Sequence, residues 1–320
     1  MWLRLDQYVA ETITNYQRSD VTTIGVSGAS GPLGRAVAET LLRSVDPGEV
    51  VLLTRTPGAL AGFTARGVRV RQADFDDRSG LEDALAGVDR LLLISTDRIG
   101  SRLDQQRAAV AAAAATGVSR VVYTSVPLPV PDNPAVVVED HAGTERALRL
   151  SGLEWTMLRN NLYTHLQVPA VEQAVASGRL FSNRGSGAAA YVTREDCAAV
   201  AAAVLTQGGH VNEVVDVTGP ESVTALDMVA VAREVSGRDI ELVDVDDHVF
   251  AEGLRQAGLP EPAARLITSF GASTRQGFLS HVTSAVADLT GHEPTAFADV
   301  VRAALTTETP RQTLPHTGKP

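Results

Sequence analysis

A glycine-rich turn is the feature of this sequence that points most directly to chemistry. Residues 26–34 read Val-Ser-Gly-Ala-Ser-Gly-Pro-Leu-Gly, after an apolar strand pattern and before an amphipathic helix pattern. Glycine lets the backbone turn tightly and approach a phosphate, and the N–H groups and dipole of a helix N-terminus attract the anion. The pattern predicts a dinucleotide pyrophosphate site, with a plain glycine turn as the alternative. Its candidate residues are Gly28, Ser30, Gly31, Pro32, Leu33 and Gly34.

An arginine at the end of the next strand pattern narrows the ligand. The apolar run Val50–Thr54 is followed by Arg55, at a position where sites that prefer NAD usually carry a carboxylate for the ribose 2′-hydroxyl. A guanidinium pairs instead with a 2′-phosphate in a fork geometry. We therefore predict NADP(H) as the cofactor, and a solvated charge at a strand end is the alternative interpretation of Arg55.

The composition excludes several classes of partner and site. The formal net charge is −10 and no basic stretch is present, which argues against nucleic acid and anionic membranes. The lone cysteine, Cys197, cannot form an intrachain disulfide or a cysteine metal cage, and we expect no metal. The only lysine is Lys319, so the chain before it has no Walker A lysine, no Schiff-base lysine and no Tyr-x-x-x-Lys pair.

Targeting signals are also missing from the sequence. No apolar run reaches the roughly 18 residues of a membrane-spanning helix, and no secretory signal precedes the first strand pattern. We therefore expect a cytoplasmic protein that does not bind membranes. We also expect a monomer or a homodimer.

Strand-like and helix-like runs alternate along much of the chain. Apolar runs typical of strands lie at 23–27, 50–54, 68–71, 90–94, 120–124, 154–158 and 214–217. Helical runs between them lie at 33–43, 81–86, 103–116 and 141–151. This alternation predicts an α/β fold with a Rossmann-type, doubly wound parallel sheet, whose ligands bind at the carboxyl ends of the strands.

The pattern changes after the sixth strand. Helical runs dominate from there, at 165–177, 194–205, 226–236, 249–257, 262–270 and 296–306. We expect a smaller, mostly helical substrate lobe that roofs the ligand edge of the sheet, with a late strand near 213–218 returning to the sheet. The predicted organisation is an N-terminal extension (1–20), an NAD(P)-binding domain (21–160), this lobe (161–306) and a disordered tail (307–320).

Further segments carry a resemblance that runs from about residue 21 to residue 306. Besides the glycine turn, they are 54–57, 71–75, 92–95, 117–125, 141–145, 156–163 and 190–196. In this order they resemble the atypical short-chain dehydrogenase/reductases of the NmrA-like group. Within that group the chain is most similar to the type 2 NAD(P)H:quinone oxidoreductases and the triphenylmethane reductases.

The resemblance implies a role for each matching position. Gly28 to Gly34 are implied to hold the pyrophosphate, and Arg55 the 2′-phosphate. The remaining contacts run from adenine to nicotinamide: Asp74 and Phe75 at the adenine, Ile94, Ser95 and Thr96 along the ribose, Tyr123, Thr124 and Ser125 near the nicotinamide, and Asn160 at the carboxamide. Ordinary strand packing is the alternative for Tyr123 and Thr124, and a turn or helix cap is the alternative for Asp74.

Three side chains are candidates for the reaction itself. His141 could shuttle a proton near neutral pH, and the alternative is a surface histidine beside Glu145. Asn160 or Asn161 could donate a hydrogen bond to a carbonyl oxygen that gains charge, and Tyr163 offers a flat face to an aromatic acceptor. We predict that Asn160 and Tyr163 share a pocket with Asn161, Leu162 and His165; the alternative is that this segment only joins two lobes.

The resemblance implies hydride transfer from NADPH, without flavin, to a flat, electron-poor acceptor. A quinone is the first expected acceptor and a triarylmethane dye the second. Because the Tyr/Lys pair of standard reductases is missing, an NADP(H)-binding redox sensor without catalysis is the alternative from a different class. A biosynthetic reductase of an isoflavone-like product is disfavoured, since such enzymes usually carry an active-site lysine.

Overall fold

The structure, a computed structural model, describes residues 22–98 and 100–307. The predictions for residues 1–20 and for the tail beyond 307 lie outside the described residues. The chain divides into two compact units that interleave along the sequence. The N-terminal unit comprises the described residues up to Thr124 with 144–157 and 201–214, and the C-terminal unit comprises 125–143, 158–200 and the described residues from Val215 onward.

Eleven strands are assigned in the described residues. They are β1 (Ile24–Val26), β2 (Val50–Thr54), β3 (Arg69–Gln72), β4 (Arg90–Leu93), β5 (Arg120–Ser125), β6 (Glu154–Asn160), β7 (Arg179–Ser182), β8 (Ala188–Ala189), β9 (Glu213–Val217), β10 (Val223–Thr224) and β11 (Glu241–Asp244). Seven of them form a parallel sheet in the order β3-β2-β1-β4-β5-β6-β9. The predicted Rossmann-type fold is confirmed, and the strand order reverses between β1 and β4, where such sheets bind ligands.

Helices connect these strands and make up much of the C-terminal unit. They are α1 (Pro32–Leu41), α2 (Ala61–Thr64), α3 (Arg78–Leu85), α4 (Arg102–Ala115), α5 (Val138–Leu150), α6 (Val168–Ser177), α7 (Arg194–Thr206), α8 (Ala225–Ser236), α9 (Asp247–Gln256), α10 (Glu261–Arg275), α11 (Ala285–Thr290) and α12 (Phe297–Thr307). None of the described helices is both long and apolar enough to span a membrane.

The core of the N-terminal unit is aliphatic. All five residues of β2 are buried, as expected for a strand covered on both faces of a parallel sheet. Leu81 and Leu85 of α3 and Val110 of α4 pack in one cluster with side chains of β2, β4 and β5. This packing fixes the strand ends from which the candidate site is built.

The C-terminal unit contains strands that the sequence did not predict. β7 pairs with β11 in parallel, in a register that sets Arg179 opposite Glu241, and β8 pairs with β10 in antiparallel orientation. These short ladders surround a core that includes Tyr191 and Phe297, whose ring centroids are 5.3 Å apart. The C-terminal unit is therefore mostly helical and has two small sheets.

Candidate functional site

A cavity of about 330 Å3 lies at the carboxyl ends of β1 to β4, entirely within the N-terminal unit. It brings together many residues that the sequence singled out: Gly28, Ser30, Gly31, Pro32, Leu33, Gly34, Arg55, Asp74, Phe75, Ile94, Ser95 and Thr96. The lining also includes Thr54, next to Arg55, and residues that the sequence reasoning missed: Leu53, Ala73, Asp97, Arg98 and Gln105.

The glycine turn owes its shape to two positions without a Cβ atom. Gly28 has φ +60°, in the left-handed region that favours glycine. A Cβ on Gly34 would lie 2.6 Å from the Gly28 carbonyl oxygen and 2.7 Å from Ala29 Cα, so only glycine lets α1 pack this closely against the turn. Among the described residues, no side chain caps the N-terminus of α1, which follows Gly31. The first-turn N–H groups are therefore available to an anion.

Hydroxyl groups link the turn to the end of β2. Thr54 Oγ1 donates to Ser30 Oγ over 2.9 Å, and Thr56 N donates to Thr54 Oγ1 over 3.2 Å. The Arg35 side chain donates hydrogen bonds to the backbone carbonyl oxygens of Ser30 and Ala59. Arg55 has no ion pair or hydrogen bond within the described part of the chain, which leaves its guanidinium free for a ligand.

Hydrogen bonds also fix the segments that follow β3 and β4. Asp74 lines the cavity, and its Oδ1 also accepts a hydrogen bond from Asp76 N over 3.1 Å, so the predicted turn cap and the cavity position coincide. Ile94 N donates to Ser27 Oγ, and Ser95 N donates to Thr124 Oγ1, both over 2.9 Å. These bonds fix the segment that follows β4 against its neighbouring strands.

The residues at the end of β5 lie outside the lining of this cavity. Tyr123 is fully buried in the aliphatic cluster, which is the strand-packing role left open as its alternative. Thr124 is buried and holds the Ser95 backbone, while Ser125 is buried in the C-terminal unit. Their predicted place beside a nicotinamide stays a prediction.

A second group of candidates lies in the C-terminal unit, at and after the end of β6. Asn160 is 7% exposed; its Nδ2 donates to Tyr163 Oη over 3.4 Å, and its Oδ1 is buried without a partner among the described residues. The rings of Tyr163 and His165 stack with centroids 5.6 Å apart. The free acceptor and the stacked rings lie within one short segment of the chain.

The protonation states of this group follow from its surroundings. Burial raises the pKa of Tyr163 far above that of free tyrosine, so the phenol stays protonated at neutral pH. Burial and the nearby charge of Arg194 lower the pKa of His165. Arg194 donates to His165 Nε2, which assigns the hydrogen of a neutral imidazole to Nδ1. The group is therefore neutral apart from Arg194.

Two residues of the predicted pocket, Asn161 and Leu162, make contacts within the C-terminal unit. Asn161 Nδ2 donates to the Leu279 carbonyl oxygen over 2.9 Å, and its Oδ1 accepts from Leu162 N. Leu162 packs against the core of the unit. Of the two asparagines, Asn160 is the one with an acceptor left for a ligand.

His141 lies on α5 and is only 3% exposed. The alternative of a surface histidine is therefore wrong, because His141 lies on the buried face of this helix, which also carries Thr144, Glu145 and Leu148. Glu145 is also buried, and its carboxylate pairs with Arg149 at 3.0 Å.

Cys197 of α7 is buried as well, and burial raises the pKa of its thiol, as expected for an inert core residue.

Comparison with known proteins agrees with this geometry. A family model described as NAD(P)H-binding matches residues 28–208, which include the glycine turn and the ends of β2 to β6. The chain belongs to this NAD(P)H-binding family. The resemblance to NmrA-like reductases is thereby confirmed.

Two curated relatives of this NAD(P)H-binding protein match along nearly their whole length. Quinone oxidoreductase 2 of Escherichia coli is 33% identical over 278 residues, which are 87% of this chain and 97% of the relative. A (4-alkanoyl-5-oxo-2,5-dihydrofuran-3-yl)methyl phosphate reductase of Streptomyces griseus is 34% identical over 278 residues, which are 86% of this chain and 95% of the relative.

Solved structures extend the similarity. The E. coli NADPH-dependent quinone oxidoreductase complexed with NADPH superposes with a TM-score of 0.85 at 32% identity, over 88% of this chain and 99% of that chain. The Citrobacter sp. triphenylmethane reductase complexed with NADP(H) gives a TM-score of 0.83 at 29% identity, over 88% and 99%.

The residues of this NAD(P)H-binding protein fit a dinucleotide. The Gly28–Gly34 cradle has no room for an added Cβ at Gly34, the first turn of α1 offers free N–H groups, and Arg55 is an unpaired cation on the cavity wall. The missed residues Asp97, Arg98 and Gln105 follow β4 or lie on α4. Only their position in the sequence could have indicated them, because residues just after a parallel strand lie at the edge of the sheet where ligands bind.

Proposed function

We propose that this protein is an NADPH-dependent, flavin-free reductase that passes hydride to a flat, electron-poor acceptor, a quinone first and a triarylmethane dye second. One observation carries the proposal: the glycine cradle and the unpaired Arg55 line a single cavity. The similarity to reductases solved with NADPH and NADP(H) supports it. We also propose, from the sequence, a cytoplasmic monomer or homodimer without a bound metal.

The N-terminal unit would hold the cofactor. The N–H groups at the start of α1 would bind the pyrophosphate, and Arg55 would pair with the 2′-phosphate. Asp74 and Phe75 would flank the adenine, and Ile94, Ser95 and Thr96 would line the ribose. Bound NADPH supplies the hydride, and the chain supplies orientation and exclusion of water.

From the sequence, we propose that Asn160, Tyr163 and His165 contact the reacting groups. The buried Oδ1 of Asn160 would accept a hydrogen bond from the carboxamide of the cofactor, because it has no partner among the described residues. The faces of Tyr163 and His165 would stack on an aromatic acceptor. With Tyr163 and His165 neutral, this group would favour an uncharged acceptor such as a quinone.

The reduced acceptor does not need a proton from the protein. A quinone that has accepted hydride can take its proton from water, and a triarylmethane cation becomes neutral on accepting hydride and needs no proton. The reaction therefore does not require a side-chain acid at His141. The acidic net charge of −10 also disfavours a strongly anionic acceptor.

A panel of acceptors tests the proposal. We expect NADPH oxidation with simple benzoquinones and naphthoquinones, slower turnover with triarylmethane dyes, and a colourless purified protein. The panel should include a (4-alkanoyl-5-oxo-2,5-dihydrofuran-3-yl)methyl phosphate, because one relative is a reductase of such a compound. A flavin spectrum, or NADPH binding without turnover of any acceptor, would contradict the proposal and favour the redox sensor.

A further inference from the structure

The cavity contains a second arginine to which the proposed function gives no role. Arg98 follows β4 and lines the same cavity as Arg55. Its Nη1 lies 2.6 Å from Oδ2 of Asp76, which follows β3. Because the strand order is β3-β2-β1-β4, this ion pair spans the carboxyl ends of β2 and β1. The pair thus crosses the edge of the sheet at which the adenosine half of a dinucleotide binds.

The carboxylate is held on its other side by a fixed network. Gln105 Nε2 donates to Asp76 Oδ1 over 2.9 Å, and Thr96 Oγ1 donates to Gln105 Oε1 over 3.0 Å. Arg102 Nε in turn donates to the Thr96 carbonyl oxygen over 2.5 Å. The Asp76 carboxylate therefore stays hydrogen-bonded to Gln105 of α4, which Thr96 holds in turn, even if Arg98 moves away.

The charges at this edge are arranged around one carboxylate. The hydrogen bond from Gln105 lowers the pKa of Asp76, and so do the charges of Arg98 and Arg55. Asp76 thus lies in the field of both cavity arginines. The Arg98 side chain is 48% exposed, so it can exchange one anionic partner for another at little cost.

We infer that Arg98 is a second cation for the 2′-phosphate of the cofactor and that Asp76 is its counter-ion in the ligand-free protein. This inference rests on the proposed use of NADPH. A 2′-phosphate carries about −1.5 to −2 charges at pH 7, more than the single guanidinium of Arg55 neutralises. Arg98 lies on the cavity wall, whereas Asp76 is absent from the lining. Arg98 is therefore a specificity-determining residue.

Isothermal titration with two fragments of the cofactor tests this inference without catalysis. Adenosine 2′,5′-bisphosphate carries the 2′-phosphate, and adenosine 5′-monophosphate lacks it. We expect Arg98→Ala to weaken the bisphosphate about tenfold and the monophosphate less than about twofold, with Arg98→Lys in between. Asp76→Asn should tighten the bisphosphate about threefold, because a competing charge is removed.

Arg66→Ala is the matched control. Arg66 also forms an ion pair, at 2.8 Å with Glu39, but it lies outside the cavity lining, so neither fragment should change. Equal losses for both fragments in Arg98→Ala, or no loss, would overturn the inference, and weaker bisphosphate binding in Asp76→Asn would overturn the counter-ion role. If the wild type binds neither NADPH nor the bisphosphate, the proposed function fails as well; if it binds both, only the inference is at stake.

Discussion

The cofactor cavity of the N-terminal unit and the Asn160–Tyr163–His165 group of the C-terminal unit are built in opposite ways. The cavity depends on backbone: a left-handed Gly28, a position at Gly34 that excludes a Cβ, and the ends of four parallel strands. The group depends on side-chain pairs, namely a ring stack and the bond from Arg194 to His165. The glycine turn of the cavity can be recognised in the local sequence, whereas the bond from Arg194 to His165 joins residues that are 29 positions apart.

The two regions also differ in charge. The cavity wall carries Arg55 without a partner and Arg98 with an exchangeable one. In the C-terminal group, burial keeps Tyr163 protonated and lowers the pKa of His165. The first region suits a phosphate-bearing ligand and the second a neutral flat one. The predictions below test whether changes in one region affect binding and changes in the other affect turnover.

The largest effect should come from the backbone cradle. Gly34→Ala places a Cβ against the Gly28 carbonyl and Ala29, so α1 must move away from the turn. We expect a loss of about 1–3 kcal/mol in stability and of about 150-fold or more in NADPH affinity, equal to two charge-assisted hydrogen bonds at about 1.5 kcal/mol each. Thermal melts and fluorescence titration measure both. Gly62→Ala, on α2 with open space around it, is the control and should change neither.

A smaller and more selective effect should follow from Arg55→Ala. Removing this guanidinium should lower NADPH affinity about 10- to 150-fold, the range for losing a charge-assisted hydrogen bond. NADH affinity should stay nearly constant, because NADH has no 2′-phosphate. Parallel titrations of both cofactors measure the change. An unchanged preference in the variant would remove Arg55 from the site.

His141→Ala should reduce turnover by less than about tenfold, because water can protonate the reduced acceptor. A needed general acid would instead cost about 10²–10⁴-fold. Since His141 is buried, His141→Gln should be measured beside it to separate packing from proton transfer. The exposed His292 provides the control, His292→Ala. A loss above tenfold in both His141 variants would make His141 the acid.

The smallest effect concerns Tyr163 at high pH. Free tyrosine ionises near pH 10, and burial raises the pKa of Tyr163 above that value. Above pH 10 the unfolded chain therefore releases a proton that the folded chain keeps, and stability falls as pH rises. Tyr163→Phe should remove a slope of about 1.4 kcal/mol per pH unit. Urea unfolding at pH 9, 10 and 11 measures it; parallel slopes in both proteins would contradict the burial of this phenol.

The sequence predicted the sheet and most of the cavity because both follow from periodicity and strand ends. Each strand of the central sheet was expected within two residues of its observed limits. The ladders of β7 with β11 and of β8 with β10 were missed, because runs of two to four residues carry no period of their own. Arg98 and Gln105 were missed for the same reason as the Arg194–His165 bond: their partners are set by tertiary contacts.

The transfer of deuterium from NADPH to a triarylmethane dye tests the central claim most directly. Hydride that reaches the central carbon of the dye forms a C–H bond that does not exchange with water. With NADPH deuterated at the transferred position of the nicotinamide ring, the account predicts a leuco dye that carries the deuterium, detected by mass spectrometry. An unlabelled leuco dye would show that the hydride passes through an exchanging carrier such as flavin, and would contradict direct transfer from NADPH.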